Sequence, residues 1–124
     1  MDERLEKSLL YDFYGELLSE HQKEVYIAYI FDDMSYSEIA EEFGCSRQAA
    51  FDLVRRTTRK LEAYEVKLGL VGRFVEAKDK LELLTSEIEE VRALIKDKKA
   101  DDIELIDKKL LDISVGAGEI FDFL

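Results

Sequence analysis

Hydrophobic positions along this chain recur every three or four residues, and their intervals predict a succession of helices. From Asp2 to about Leu18, residues Leu5, Leu9, Phe13 and Leu17 repeat four apart, with Leu10 and Tyr14 widening the stripe. Ser19, with Gln22 three residues on, forms a capping-box pattern that opens a second helix. The run that follows, VYIAYIF, would also suit a strand. Its cap, its polar first turn (Glu20, Gln22, Lys23, Glu24) and the absence of a partner strand favour a helix. Apolar on every side, this helix is expected to be central and the most buried. Asp32-Asp33 ends it.

Ser35 and Glu38 make a second capping box ahead of a short helix that reaches about Phe43 and stops at Gly44. Ser46 caps the next helix, Arg47 to about Leu68, in which Val54, Thr57, Leu61, Tyr64 and Leu68 lie alternately three and four apart. Gly69 and Gly72 loosen the chain and set the expected boundary between a domain over 1–68 and a helical segment over 69–124. In that segment Leu81, Leu84, Ile88, Val91 and Ile95 form a coiled-coil-like seam. Ile103, Ile106, Leu110 and Ile113 form a last short amphipathic stretch before a Gly-containing tail.

Composition agrees with an all-α class. The 124 residues allow one domain or at most two small ones, and a chain with no Pro and 6 Gly has few helix breakers. The single Cys45 and single His21 leave no intramolecular disulfide and too few ligands for most metal sites. The longest apolar run, Val25 to Phe31, is far short of the roughly 20 residues that span a bilayer. The charged start, MDERLEKSLL, has no signal-peptide pattern, so a cytoplasmic protein away from membranes is expected.

Charge sharpens the picture. The net charge is −11, which ordinarily counts against nucleic acid. Yet Ser46 to Lys60 holds Arg47, Arg55, Arg56, Arg59 and Lys60 against one acid, Asp52, a local +4 that leaves −15 on the rest. Such segregation suggests one basic face on an acidic body. The plainer alternative is that these cations pair with the acids around them.

The most informative stretch is Tyr36 to Arg55, YSEIAEEFGCSRQAAFDLVR. Helix-turn-helix units want a small residue at the fifth position, where two helices touch, and Gly at the ninth, where the turn needs a positive φ. Those residues are Ala40 and Gly44. The apolar fourth, eighth, tenth, fifteenth and eighteenth positions are Ile39, Phe43, Cys45, Ala50 and Leu53. In this geometry the first turns of the second helix face the major groove, pointing Arg47, Gln48 and Phe51 outwards. Arg47 and Gln48 suit guanine and adenine edges, and Phe51 suits a thymine methyl or a protein partner. Arg55, Arg56, Arg59 and Lys60 suit phosphates. Asp52 is expected to pair with Arg55 or Arg56 rather than approach phosphate.

With these residues in hand, Leu18 to about Lys60 resembles the region-4 helix-turn-helix of bacterial sigma factors. Leu9 to Leu70 resembles more closely the YlxM family, through LLYDFYGELLSEHQ, SEIAEEFGCSRQAAFDLVRRT and LEAYEVKLGL. The matching motif positions are Ile39, Ala40, Glu41, Glu42, Phe43, Gly44, Ser46, Arg47, Gln48 and Ala49. Position 45, commonly Val in such turns, is Cys here. The resemblance implies an all-α helix-turn-helix domain with a helical C-terminal segment, often dimeric. It brings no catalytic or cofactor residues. It also implies a link to the signal recognition particle pathway, known mainly from gene neighbourhood.

The remaining features carry plainer expectations. Cys45 is expected to be a buried packing residue, and His21 a surface or capping group. The aromatics Tyr11, Phe13, Tyr14, Tyr26, Tyr29 and Phe31 are expected in the core. The Leu81–Ile95 seam either folds back on the first domain or pairs across a two-fold axis, and a homodimer is favoured. Adjacent acids (Asp32-Asp33, Glu41-Glu42, Asp101-Asp102) diverge on a helix, so an enzyme is not expected. The leading reading is a helix-turn-helix regulator binding DNA or the particle's RNA. Its rival makes the same fold a docking module for a protein such as the pathway's GTPase.

Overall fold

The computed structural model describes residues 2–97 and 103–123, so the Asp101-Asp102 pair lies outside the described residues. Six helices and no strand occur among them: α1 (Glu3–Tyr14), α2 (Glu20–Ile30), α3 (Tyr36–Phe43), α4 (Arg47–Leu68), α5 (Leu70–Lys96) and α6 (Ile103–Phe123). The all-α class holds. Two compact units result, Met1–Val71 and Gly72–Leu124.

In the first unit the caps act as their spacing predicts. Ser19 accepts from the Gln22 N–H while the Gln22 side chain accepts from the Ser19 N–H, and Ser35 and Glu38 repeat the arrangement. Each box satisfies two of the donors that a helix start leaves orphaned. The first helix is shorter than its periodicity predicts, because a 3-10 turn over Gly15–Leu17 replaces its last turn. Gly15 lies against the Tyr11 ring, where a Cβ would meet ring carbons at 3.0 Å.

Helix α4 packs against α1, α2 and α3. Val54, Thr57 and Leu61 are buried on its inner face beside Tyr14, Val25, Tyr26 and Ile39 of the core. Helix α2 departs from the all-round burial its composition predicts. It buries Val25, Tyr26, Ala28 and Ile30 but leaves Ile27 and the following Phe31 exposed, since neighbours cover one side of it. Of the core aromatics expected, Tyr14 and Tyr26 are buried, whereas Phe13 and Phe31 are exposed.

In the second unit, Lys80 pairs with Glu119 at 3.6 Å and Lys109 with Glu90 at 2.7 Å. Gly116 lies where a Cβ would meet Leu84 at 3.0 Å. Partners 80–119, 84–116 and 90–109 run in opposite order, so α5 and α6 form an antiparallel pair. Two expectations change here. The last stretch is one helix to Phe123, carried through Gly116, whose missing side chain admits Leu84. The Leu81–Ile95 seam is split: Leu84 meets α6 and Val91 is buried, while Leu81, Ile88 and Ile95 are exposed.

Candidate nucleic-acid interface

Helices α3 and α4 meet at a tight corner. Gly44 sits at φ 70°, ψ 38°, the left-handed conformation its place in the motif requires, and its N–H returns to the Ala40 carbonyl. Ser46 accepts from the Ala49 N–H at 3.0 Å and starts α4. Ile39, Ala40 and Ala50 are buried where the helices cross, small residues allowing the close approach. Space around Gly44 is open, with nothing within 4 Å of an added Cβ. Gly44→Ala should therefore cost only backbone strain, about 1–2 kcal/mol. Gly44→Asn, which tolerates the left-handed region, should cost less. Urea unfolding of both variants measures it, and equal midpoints for Ala, Asn and Gly would refute the assignment.

Cys45 is exposed, against the expectation of burial. It falls between the left-handed glycine and the cap serine, on the outside of the corner, where no described element covers it. His21 is a surface residue, its ring edge-on to Phe43 at 6.0 Å.

Arg47, Gln48, Phe51, Arg55, Arg56 and Arg59 are all exposed on α4; the last five lie off the buried stripe of Ala50, Val54, Thr57 and Leu61, whereas Arg47 is in phase with that stripe and is exposed as the first residue of the helix. Lys60 is placed differently: it is half-buried and its ammonium donates to Gln22 Oε1 of α2 at 3.4 Å. Asp52 takes its hydrogen bond from Gln48 Nε2 at 3.1 Å, not from an arginine as expected. Gln48 is one turn earlier on the same face, so the short carboxylate reaches it and both arginines stay unengaged.

Arg4, Lys7, Lys23, Lys80, Arg92 and Lys109 each have a carboxylate within 4.0 Å. Among the described residues, Arg47, Arg55, Arg56 and Arg59 have none, and neither have Lys60, Lys67, Arg73, Lys78, Lys96 and Lys108, so what sets α4 apart is the clustering of four exposed arginines on one stretch of helix. The plainer account of the basic run, cations neutralised by nearby acids, therefore fails on this helix.

A model of the family described as "Putative helix-turn-helix protein, YlxM / p13 like" matches residues 1–103. The chain belongs to this family. It is 48% identical over 92 residues to the UPF0122 protein YlxM of Bacillus subtilis (strain 168), covering 69% of this chain and 84% of that one. It is 42% identical over 89 residues to a UPF0122 protein of Halalkalibacterium halodurans, with 72% and 82% covered. It is 43% identical over 91 residues to one from Thermoanaerobacter sp. (strain X514), with 73% and 78% covered. The family match spans the helix-turn-helix and all of α5.

Three further groups approach α4 that sequence spacing did not bring together: Lys7 of α1, Tyr29 of α2 and Tyr36 of α3. Tyr36 stacks on Tyr29 with centroids 5.7 Å apart and meets the Phe51 ring edge-on at 5.2 Å. Lys7 donates to the Tyr29 hydroxyl at 3.2 Å. Burial lowers the Lys7 ammonium, but this bond and the nearby Glu3 carboxylate outweigh it and hold the group above its usual value, a full cation at neutral pH. The one sequence-level trace of this assembly is Phe51, apolar on an outward face. No helix among the described residues is long and apolar enough to cross a membrane.

Proposed function

We propose that this protein is a non-enzymatic helix-turn-helix regulator that binds nucleic acid through α4 and acts in the signal recognition particle pathway in the cytoplasm. The observation that carries this reading is the set of four exposed guanidiniums without a carboxylate partner on the second helix of the motif. Four exposed guanidiniums clustered on one helix of a chain of net charge −11 make sense if an external anion neutralises them. Arg47 and Gln48 are the base-reading residues of this proposal, Phe51 an apolar contact, and Arg55, Arg56, Arg59 and Lys60 the phosphate contacts. Gln48 exchanges Asp52 for a base when it reads one.

The test is a fluorescence-anisotropy salt titration of wild type and Arg55→Ala/Arg56→Ala on signal recognition particle RNA and on a random DNA duplex of equal length. Each phosphate contact on B-DNA contributes about 0.9 to the log–log salt slope, and on single strands about 0.7. The double variant should therefore lower the slope by roughly 1.4–1.8. An unchanged slope, or no binding at low salt, overturns the reading and moves attention to a protein partner such as the pathway's GTPase. Tighter binding to the particle's RNA than to DNA supports the pathway assignment.

The division of labour we propose gives residues 1–68 the nucleic-acid contacts and residues 69–124 the contacts of a homodimer. Support comes from Leu81, Ile88 and Ile95, exposed on α5 at the seven-residue spacing of a coiled-coil seam. Sedimentation equilibrium at micromolar concentration should show a dimer that Leu81→Asp/Ile88→Asp converts to monomer. A wild-type monomer would refute this part.

A further inference from the structure

Beside the outward face of α4 lies a groove of about 300 Å³, formed wholly within the first unit. Its size is at the lower end of pockets that hold small ligands, about 300–1,000 Å³. Three kinds of group meet in it. One wall is aromatic: Tyr36, clamped by its stack on Tyr29, and Phe51, 37% exposed and held edge-on to Tyr36. The rim is charged, with Arg55 and Arg59 on α4 and Lys7 on α1, the lysine paired with Glu3, which also lines the groove, at 3.5 Å. Glu62, one turn beyond Arg59, adds a carboxylate acceptor to the lining.

These chemistries fit different parts of one ligand. A site for phosphate alone has no use for an aromatic wall, and a site for an apolar ligand would not be ringed by charge. A nucleotide matches all three features. Its base stacks on an aromatic ring, its phosphate accepts from forked guanidiniums, and its exocyclic amino group donates to a carboxylate. In a paired duplex the base faces are covered by their neighbours, so only an unpaired base can enter.

We propose that this groove takes one unpaired nucleotide, its base against Phe51 and Tyr36 and its phosphate at Arg55 and Arg59. The inference rests on the proposal that α4 is the nucleic-acid face, and it narrows the ligand to a nucleic acid with a bulged or single-stranded base. A free mononucleotide offers the same chemistry, and the experiment separates the two sources.

Two RNA duplexes are compared, identical except that one carries a single unpaired adenosine replaced by 2-aminopurine. Wild type should bind the bulged RNA about tenfold more tightly, the scale of one base–aromatic stack, and should quench the 2-aminopurine fluorescence. Phe51→Ala should abolish both the preference and the quenching, so that the variant binds the two duplexes equally. Phe51→Trp, which keeps a stacking surface, should preserve them, and far-UV circular dichroism checks that both variants fold. Displacement of the bulged RNA by millimolar adenosine monophosphate would assign the groove to a free nucleotide. A preference retained in its presence would assign it to the strand. Equal affinity of wild type for the two duplexes overturns the groove proposal and leaves the α4 proposal standing. Failure to bind either duplex at low salt overturns both.

Discussion

Leu61→Ala is expected to lower the unfolding free energy by about 2–5 kcal/mol, a large share of the stability of a small domain. Leu61 is fully buried, at 0% exposure, at the centre of the inner face of α4. Truncation removes most of an aliphatic side chain from a site bordered by several helices, and close-packed neighbours collapse only partly into the space. The cost is therefore a lost transfer term plus a cavity term. Val66, on the same helix but 87% exposed, is the internal control: Val66→Ala should change stability by no more than about 0.5 kcal/mol. Urea unfolding monitored by circular dichroism measures both. Comparable losses for the two would mean that α4 is not seated as described.

Tyr14→Phe is expected to cost about 1–3 kcal/mol although it removes one oxygen and no ring. The Tyr14 hydroxyl donates to Glu65 and accepts from the Leu70 N–H at 3.0 Å, and the same Glu65 oxygen accepts from the Val71 N–H at 3.0 Å. Helix α5 starts straight after Gly69, which has no side chain to cap it. Tyr14, from α1, and Glu65, from α4, supply that cap instead. Without the hydroxyl, one donor of the first turn of α5 loses its acceptor and Glu65 loses a donor. Burial, and then the hydrogen bond to Glu65, hold the phenol above its usual 10.0. The folded state thus binds this proton more tightly than the unfolded one. Its contribution is complete below about pH 10 and is lost as the pH rises through the folded value. The stability gap between wild type and Tyr14→Phe should accordingly shrink in alkaline solution. A gap that grows with pH would contradict the arrangement.

Much of the first unit was legible before any fold was considered. Ser19 with Gln22 and Ser35 with Glu38 cap as their spacing predicts, and Gly44 adopts the conformation that its place in the motif requires. The outward positions of Gln48, Phe51, Arg55, Arg56 and Arg59 follow from the phase of Val54, Thr57 and Leu61 on one helix, and that of Arg47 from its place at the helix start. Misreadings arose where a neighbour, or the lack of one, decides. Cys45 fills an apolar slot by residue type but has nothing over it. Gly69 and Gly72 bracket the point where the two units divide, but the expected loosening is absent: Gly72 lies inside α5, because Tyr14 and Glu65 complete the helix start at Leu70.

The sequence by itself determined the helices of the first unit, their caps, the turn between α3 and α4, and which α4 residues share a face. These depend on dihedral preferences and hydrogen bonds among residues within four positions of each other, so they survive without knowledge of the fold. Tertiary structure alone decided that four arginines stay unpaired, that Lys60 turns to α2, and that Lys7, Tyr29 and Tyr36 line a groove with Phe51 and Arg55. Those outcomes depend on distances between side chains from separate helices, which no periodicity encodes.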